Sequence, residues 1–356
     1  MPDGLITAHL ARPAADALPE VEGLAHLLAH AEQPVVVLGS LVWTDRATDA
    51  AVELIRTLGM PAYADGAARG TLPPGDPQHF QHSRAYAFAG SDVILVVGAP
   101  SSVRNFRAAY GSRLSPHATL VQIETGGGGR LLRSVALAAA GRAFQPRPDR
   151  AAARRKEWIH ELRTAEQTAQ ALWQRHLTSD AAPVHPFRLL AEIDQFLTED
   201  SVFIADDPWS ADLAGRLVQP RTPGHWMDPG PVGTAGAGIP FALAVRRADA
   251  DKESVVLYDG DPSTSADWDF EALVRPHLRF IGIVAHTGDV SRCLDKARLQ
   301  GCYGEDVRDP AGIRPALQRA RASGRPALVA VRIDPDAYLP GSVNQPHHQT
   351  HQTRNK

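Results

Sequence analysis

Cysteine is almost missing from this sequence: two in 356 residues, Cys293 and Cys302, and no CxxC pair. That supplies neither a disulfide framework nor a cysteine zinc site, and it fits a reducing compartment. A positive charge excess is missing too. Lys and Arg number 37 against 40 Asp and Glu, a formal charge of −3. A nucleic-acid partner usually demands a strongly basic face, so none is expected. No stretch approaches the roughly 18 consecutive apolar residues of a membrane-spanning helix. The opening segment, MPDGLITAHLARP, has no apolar signal core. The expectation is a cytoplasmic protein with no membrane or nucleic-acid partner.

What is present can build cores. The chain is 44% apolar and 22% charged, and its length suggests two domains. Residues 1–20 are rich in Pro and Ala and read as a linker without an element. Then 34-PVVVLGS-40, 60-MPAYAD-65, 91-SDVILVVGAP-100 and 118-ATLVQIE-124 read as strands. A helix, 46-RATDAAVELIRTLG-59, sits among them, with Leu54, Ile55 and Leu58 on one face and Gly59 as its stop. Alternation of this kind means a doubly wound α/β domain over 21–140. The stretch 141–182 breaks the pattern. Its long helix, 150–177, reads as a solvated connector whose basic start can attract an anion. A second doubly wound domain is expected over 183–338, with strands 201–206, 254–259, 279–286 and 325–333. The polar tail 339–356 reads as flexible; its His347, His348 and His351 are weak metal candidates.

In an open parallel sheet, ligands bind beyond the carboxyl ends of the strands. In the second half those ends carry Asp206-Asp207, Gly260-Asp261 and His286-Thr287-Gly288-Asp289. A glycine-rich turn, 233-GTAGAG-238, runs into an apolar helix. Acids with a glycine-rich helix start suit a phosphate and a divalent cation together. Each feature also has a plain structural use. Glycines permit close helix–strand packing, and acids cap turns and helices. In the first half, the turn after 34–40 lacks GxGxxG, and 126-GGGG-129 reads equally as a phosphate cradle or a loop.

The order of these segments is what carries specificity. "AEQPVVVLGS", "LIRTLGMPAYADGAARGTLPPGDPQHF" and "AGSDVILVVGAP" are followed by "FIADD", "DPGPVGTAGAGIPFALAV", "YDGDPSTSADWDFEAL" and "GEDVRDPAGIRPALQRARASGRPALVAVRID". This series resembles the thiamine-diphosphate-dependent enzymes of the acetolactate synthase, oxalyl-CoA decarboxylase and 2-hydroxyacyl-CoA lyase type. The resemblance covers the family's middle domain and its diphosphate-binding domain. It implies thiamine diphosphate and Mg2+ as cofactors. Asp261 falls on the family's metal aspartate, with Thr287 and the Asp289 carbonyl as its companions. Asp206, Asp207, Gly233, Thr234, Ala235, Gly236, Gly260 and His286 would line the diphosphate pocket, and Asp259 would belong to the turn.

Four departures accompany the resemblance. Pro262 replaces the second glycine of the Gly-Asp-Gly motif, and His286-Thr287 replaces an Asn-Asn pair. Ala235 stands where the family has a large apolar wedge under the cofactor. The sequence also starts at what resembles the linker after the family's pyrimidine-binding domain, which supplies the activating glutamate. Two expectations follow. In one, the chain is the diphosphate-binding subunit of a split enzyme that cleaves or forms a C–C bond on a 2-oxo acid or 2-hydroxyacyl-CoA, inactive alone. A partner polypeptide then carries the pyrimidine-binding domain, two copies of each chain assembling around a small-molecule substrate. In the other, the chain is a degenerate relative with a structural or regulatory role.

Overall fold

Short apolar runs that are buried on both faces become central parallel strands, and that logic organises both halves of the chain. The computed structural model describes residues 7–10, 18–99, 113–123, 125, 129–143, 149–259, 270–275 and 277–337. They fall into two units, Met1–Gln170 with Gln219–Trp226, and Ala171–Val218 with Met227–Lys356.

The first unit holds strands β1 (Thr7–Leu10), β2 (Pro34–Leu38), β3 (Ala62–Ala64), β4 (Val93–Val97) and β5 (Thr119–Ile123). They form one parallel sheet in the order β1-β5-β4-β2-β3. Side chains alternate between its two faces. Val36, Leu38, Leu95, Val97, Val121 and Ile123 pack with helices α1 (Leu18–His30), α3 (Thr48–Leu58) and α5 (Arg130–Ala143). Val35, Val37, Ile94, Val96 and Leu120 face the other side, among Tyr63, Phe80, Phe88 and Trp158. Two shorter helices, α2 (Leu41–Thr44) and α4 (Arg84–Gly90), follow strands β2 and β3. As expected, α3 buries Leu54, Ile55 and Leu58 and stops at Gly59.

Two readings of this half are corrected. The segment 1–20 is not without an element, because Thr7–Leu10 pairs with β5 as an edge strand. Four residues between Pro/Ala-rich flanks carry too short a pattern to register in the sequence. Nor is 150–177 a solvated connector. Helix α6 (Asp149–Leu177) buries Trp158 and Leu162 against the sheet. Its Arg155 is buried too, and donates to the carbonyls of Leu28 at 2.7 Å and Leu58 at 2.8 Å. It also reaches Ala31 O from Nε at 3.2 Å. Those carbonyls close α1 and α3, where helices leave acceptors unpaired and the dipole is negative. Eleven positions on, buried Glu166 accepts the backbone N–H groups of His82 at 2.9 Å and Ser83 at 2.8 Å, at the start of α4. The basic start of this helix binds carbonyl groups of its own chain.

The second sheet holds β6 (Ser201–Ala205), β7 (Trp226–Met227), β8 (Glu253–Asp259), β9 (Phe280–His286), β10 (Tyr303–Val307) and β11 (Ala327–Arg332). The order is β10-β11-β9-β8-β6-β7, with the β10-to-β6 ladder parallel throughout. Around them run α7 (Pro186–Phe196), α8 (Pro208–Ala214), α9 (Gly238–Ala248), α10 (Phe270–Val274), α11 (Ser291–Leu299) and α12 (Pro310–Ala322). The two doubly wound parallel-sheet domains expected from the sequence are present. The polar edge strand β10, YGEDV, was not anticipated, because an edge strand needs no continuous apolar run.

Glu166→Ala would strand buried N–H groups, and Arg155→Ala would strand helix-end carbonyls. Each should cost on the order of 3 kcal/mol in urea unfolding. Removing the partly exposed Arg154–Glu161 pair by Glu161→Ala should cost about 0.5 kcal/mol or less. Burial holds His79 and His82 below the ordinary histidine value of 6.5. The unfolded chain then binds protons that the folded chain refuses. Stability is therefore present above pH 6.5 and lost as pH falls through it, a loss that a His79→Gln, His82→Gln double variant should reduce.

Candidate functional site

The chain leaves β6, forms β7 on one side of it, and returns to lay β8 on the other. Connections diverging from one strand open a crevice at its carboxyl end. Asp206 and Asp207 follow β6 there, and Asp259 ends β8. The glycine-rich turn 233–238 enters α9 at the same crevice.

Asp206 organises the turn. Its Oδ2 accepts the Gly236 N–H at 3.0 Å and its Oδ1 accepts the Gly238 N–H at 2.7 Å. A Cβ at Gly238 would lie 2.8 Å from Asp206 Oδ1 and 2.7 Å from Val256 Cγ1, so only glycine lets the backbone close on the carboxylate. Gly236 takes φ +92°, a conformation glycine adopts without strain. Burial pushes the Asp206 carboxyl above its usual range; the two amide bonds oppose this, and the Asp207 charge adds to it.

Asp207 serves the backbone in another way. It caps α8 by accepting the Ser210 N–H at 2.9 Å, bonds the Ser210 hydroxyl, and accepts the Asp259 N–H at 3.1 Å. Asp259 is different. Its Oδ1 is buried with no hydrogen-bond partner among the described residues. Burial first, and then the Asp207 charge, raise its pKa to about 7.

Three carboxylates in one crevice repel a bare anion, whereas a divalent cation would relieve the crowding. The unsatisfied Asp259 oxygen is a hard donor suited to such an ion, and magnesium needs only one or two carboxylates beside phosphate and water. Among the described residues no three His, Cys, Asp or Glu side chains gather around one point for a metal. Among the described residues, a cation there would find Asp259.

The other expected site residues are distributed as follows. Gly233 is half-buried beside Pro208, while Thr234, Ala235 and Gly236 are exposed on the turn. Gly260 and Asp261 lie outside the described residues, as do 126–128 and the histidines of the tail. His286 ends β9, buried, with Nδ1 2.9 Å from the Gly288 carbonyl. Burial holds its pKa below the ordinary value. Thr287 is half-exposed beside it. The Asp289 carboxylate is turned to the start of α11, accepting the Ser291 N–H at 2.9 Å. Asp259, assigned to the turn from sequence, has the unsatisfied buried oxygen; the signal was an acid ending an otherwise apolar run. In the first unit, Gly129 packs where a Cβ would lie 2.7 Å from Ala50 Cβ, so close helix contact accounts for that glycine.

Both domains resemble those of known proteins. Residues 21–127 match the family model "Thiamine pyrophosphate enzyme, central domain". Residues 210–286 match "Thiamine pyrophosphate enzyme, C-terminal TPP binding domain". The acetolactate synthase large subunit IlvG of Mycobacterium tuberculosis is 32% identical over 93% of this chain and 64% of its own length. A probable acetolactate synthase of Mycobacterium bovis aligns with the same figures, 32%, 93% and 64%. Human 2-hydroxyacyl-CoA lyase 2 is 28% identical over 75% of this chain and 44% of its own length. The chain thus spans 64% of the mycobacterial relatives and 44% of the human one.

Asp206→Ala should release the two glycine amides. Hydrogen exchange at Gly236 and Gly238 is expected to quicken at least roughly tenfold, with a stability loss of about 2 kcal/mol. Unchanged exchange would mean that the carboxylate does not hold the turn.

Proposed function

Because its two domains belong to the thiamine pyrophosphate enzyme family, we propose that this chain is the diphosphate-binding component of a thiamine-diphosphate-dependent enzyme. The reaction is cleavage or formation of a C–C bond beside a carbonyl, on a 2-oxo acid or a 2-hydroxyacyl-CoA. Support for those substrate classes comes from relatives named acetolactate synthase and 2-hydroxyacyl-CoA lyase. The observation that carries the reading is the buried Asp259 oxygen at the switch point, unpartnered among the described residues, beside a glycine-rich turn.

In this reading Asp261 holds Mg2+, with Thr287 and the Asp289 carbonyl as further supports. Asp259 supplies negative charge beside the ion. Asp206 already occupies the Gly236 and Gly238 amides, so the diphosphate is held chiefly through the cation and through the start of the turn, Gly233 to Ala235. When bound, thiamine diphosphate supplies the electron sink for the C–C bond. The chain's own residues bind and orient its charged end. A pyrimidine-binding domain on a partner polypeptide completes the site, two copies of each chain assembling together.

A second reading draws on Ala235, which is small and exposed where the family carries a large apolar wedge. There the chain retains the fold and serves a structural or regulatory role.

Calorimetry on the assembled complex separates the two. Asp261→Asn should weaken Mg2+-dependent thiamine diphosphate binding at least roughly tenfold, about 1.4 kcal/mol. Unchanged affinity would remove Asp261 from its role. Affinity purification of the tagged chain from its host should bring down a stoichiometric partner. A lone homo-oligomer indifferent to the cofactor would favour the second reading.

A further inference from the structure

Helix α1 buries one face and presents two histidines on the other. Leu24, Ala25 and Leu28 lie in the core of the first unit. His26 and His30 are exposed on the far side of the helix. Residues four apart are neighbours on a helix surface, with Cβ atoms about 5–6 Å from each other. Here the rings themselves meet. Their centroids are 4.0 Å apart and their planes lie 24° from parallel. Two imidazole nitrogens bound to one ion at about 2.0–2.1 Å are themselves roughly 3 Å apart. A small tilt of rings already side by side reaches that spacing.

His30 is oriented further by its backbone. Its Nδ1 lies 2.8 Å from the His26 carbonyl oxygen. A carbonyl only accepts, so Nδ1 carries the proton and Nε2 keeps its lone pair. Metal-bound histidines are held in this manner, with the second ring nitrogen donating to a backbone carbonyl or a carboxylate. The same bond restrains the ring, so less side-chain freedom is lost when a ligand binds. Glu22, one turn before His26, is exposed on the same face and adds negative charge there. Among the described residues no third His, Cys, Asp or Glu side chain gathers with the pair.

We propose that His26 and His30 form a surface site for a divalent transition metal of the imidazole-binding class, Cu2+ or Zn2+. Each histidine gives one ring nitrogen, and water takes the remaining positions. Mg2+, which prefers oxygen ligands, is refused. The site uses no residue assigned to the diphosphate or its Mg2+, and it stands or falls without thiamine diphosphate.

Calorimetric titration of the full chain with Cu2+, Zn2+ and Mg2+ tests this. The chain carries His347→Gln, His348→Gln and His351→Gln, so that histidines of the tail do not contribute. Cu2+ is expected to bind at least roughly tenfold more tightly than Zn2+, following the order of divalent metal affinities. Because both rings hold one ion, His26→Gln alone or His30→Gln alone should weaken Zn2+ binding at least roughly tenfold. The double variant should lose little more than either single one. Saturating Zn2+ should also protect His26 and His30 together from diethyl pyrocarbonate, read by peptide mass. Zn2+ affinity unchanged in either single variant would overturn the proposal. So would Zn2+ that leaves His26 and His30 open to the reagent.

Discussion

The second unit's crevice rests on one carboxylate. Asp206 leaves the end of β6 and takes two amides of the turn that starts α9. A helix start usually meets an anion with its own N–H groups. Here a side chain of the same sheet occupies part of that position, and the glycines at 236 and 238 exist in a form that lets it do so. The consequences run outward. Asp207 is directed to the cap of α8, and Asp259 is left in the crevice with an unsatisfied oxygen. Negative charge then accumulates at the switch point, and the crevice becomes suited to a cation first and to a phosphate through it.

The first unit solves a related problem with both signs of charge. Helix ends carry unpaired carbonyls at one terminus and unpaired N–H groups at the other. Helix α6 spends Arg155 on the carbonyl ends of α1 and α3, and Glu166 on the amide start of α4. Buried charge is normally expensive. It is tolerated here because the partial charges of helix ends answer it, while Trp158 packs between them into the sheet's second face. In both units, buried ionic groups are matched to backbone termini, which fixes where each helix sits.

Most of the architecture was legible in the sequence because parallel strands buried on both faces leave continuous apolar runs. β2, β4, β8 and β9 are of this kind, and each lies within three residues of its expected span at either end. The strands that escaped notice, β1, β7 and β10, are edge strands, where one side of the ladder is open and no continuous apolar run is required. Helix α6 was legible as a helix but not as a packed one. Its charged residues look solvated in one dimension, and only the positions of α1, α3 and α4 reveal that two of them face backbone ends.

The site divides in the same way. Sequence alone determined which segments end at the carboxyl edge, that acids cluster there, and that a glycine-rich turn leads into a helix. Those features depend on local pattern: strand length, glycine spacing and chain order. Tertiary structure decided what each acid does. Asp206, Asp207 and Asp259 are chemically alike and close in space, yet one holds a turn, one caps a helix and one keeps an open oxygen. The pairing of His286 with Asp306 across β11 was equally invisible. The two residues are twenty positions apart in sequence, and they meet only because β10 takes the sheet's edge with β11 between it and β9. Hydrogen-bond satisfaction is a property of neighbours in space, and a linear sequence does not specify those neighbours one by one.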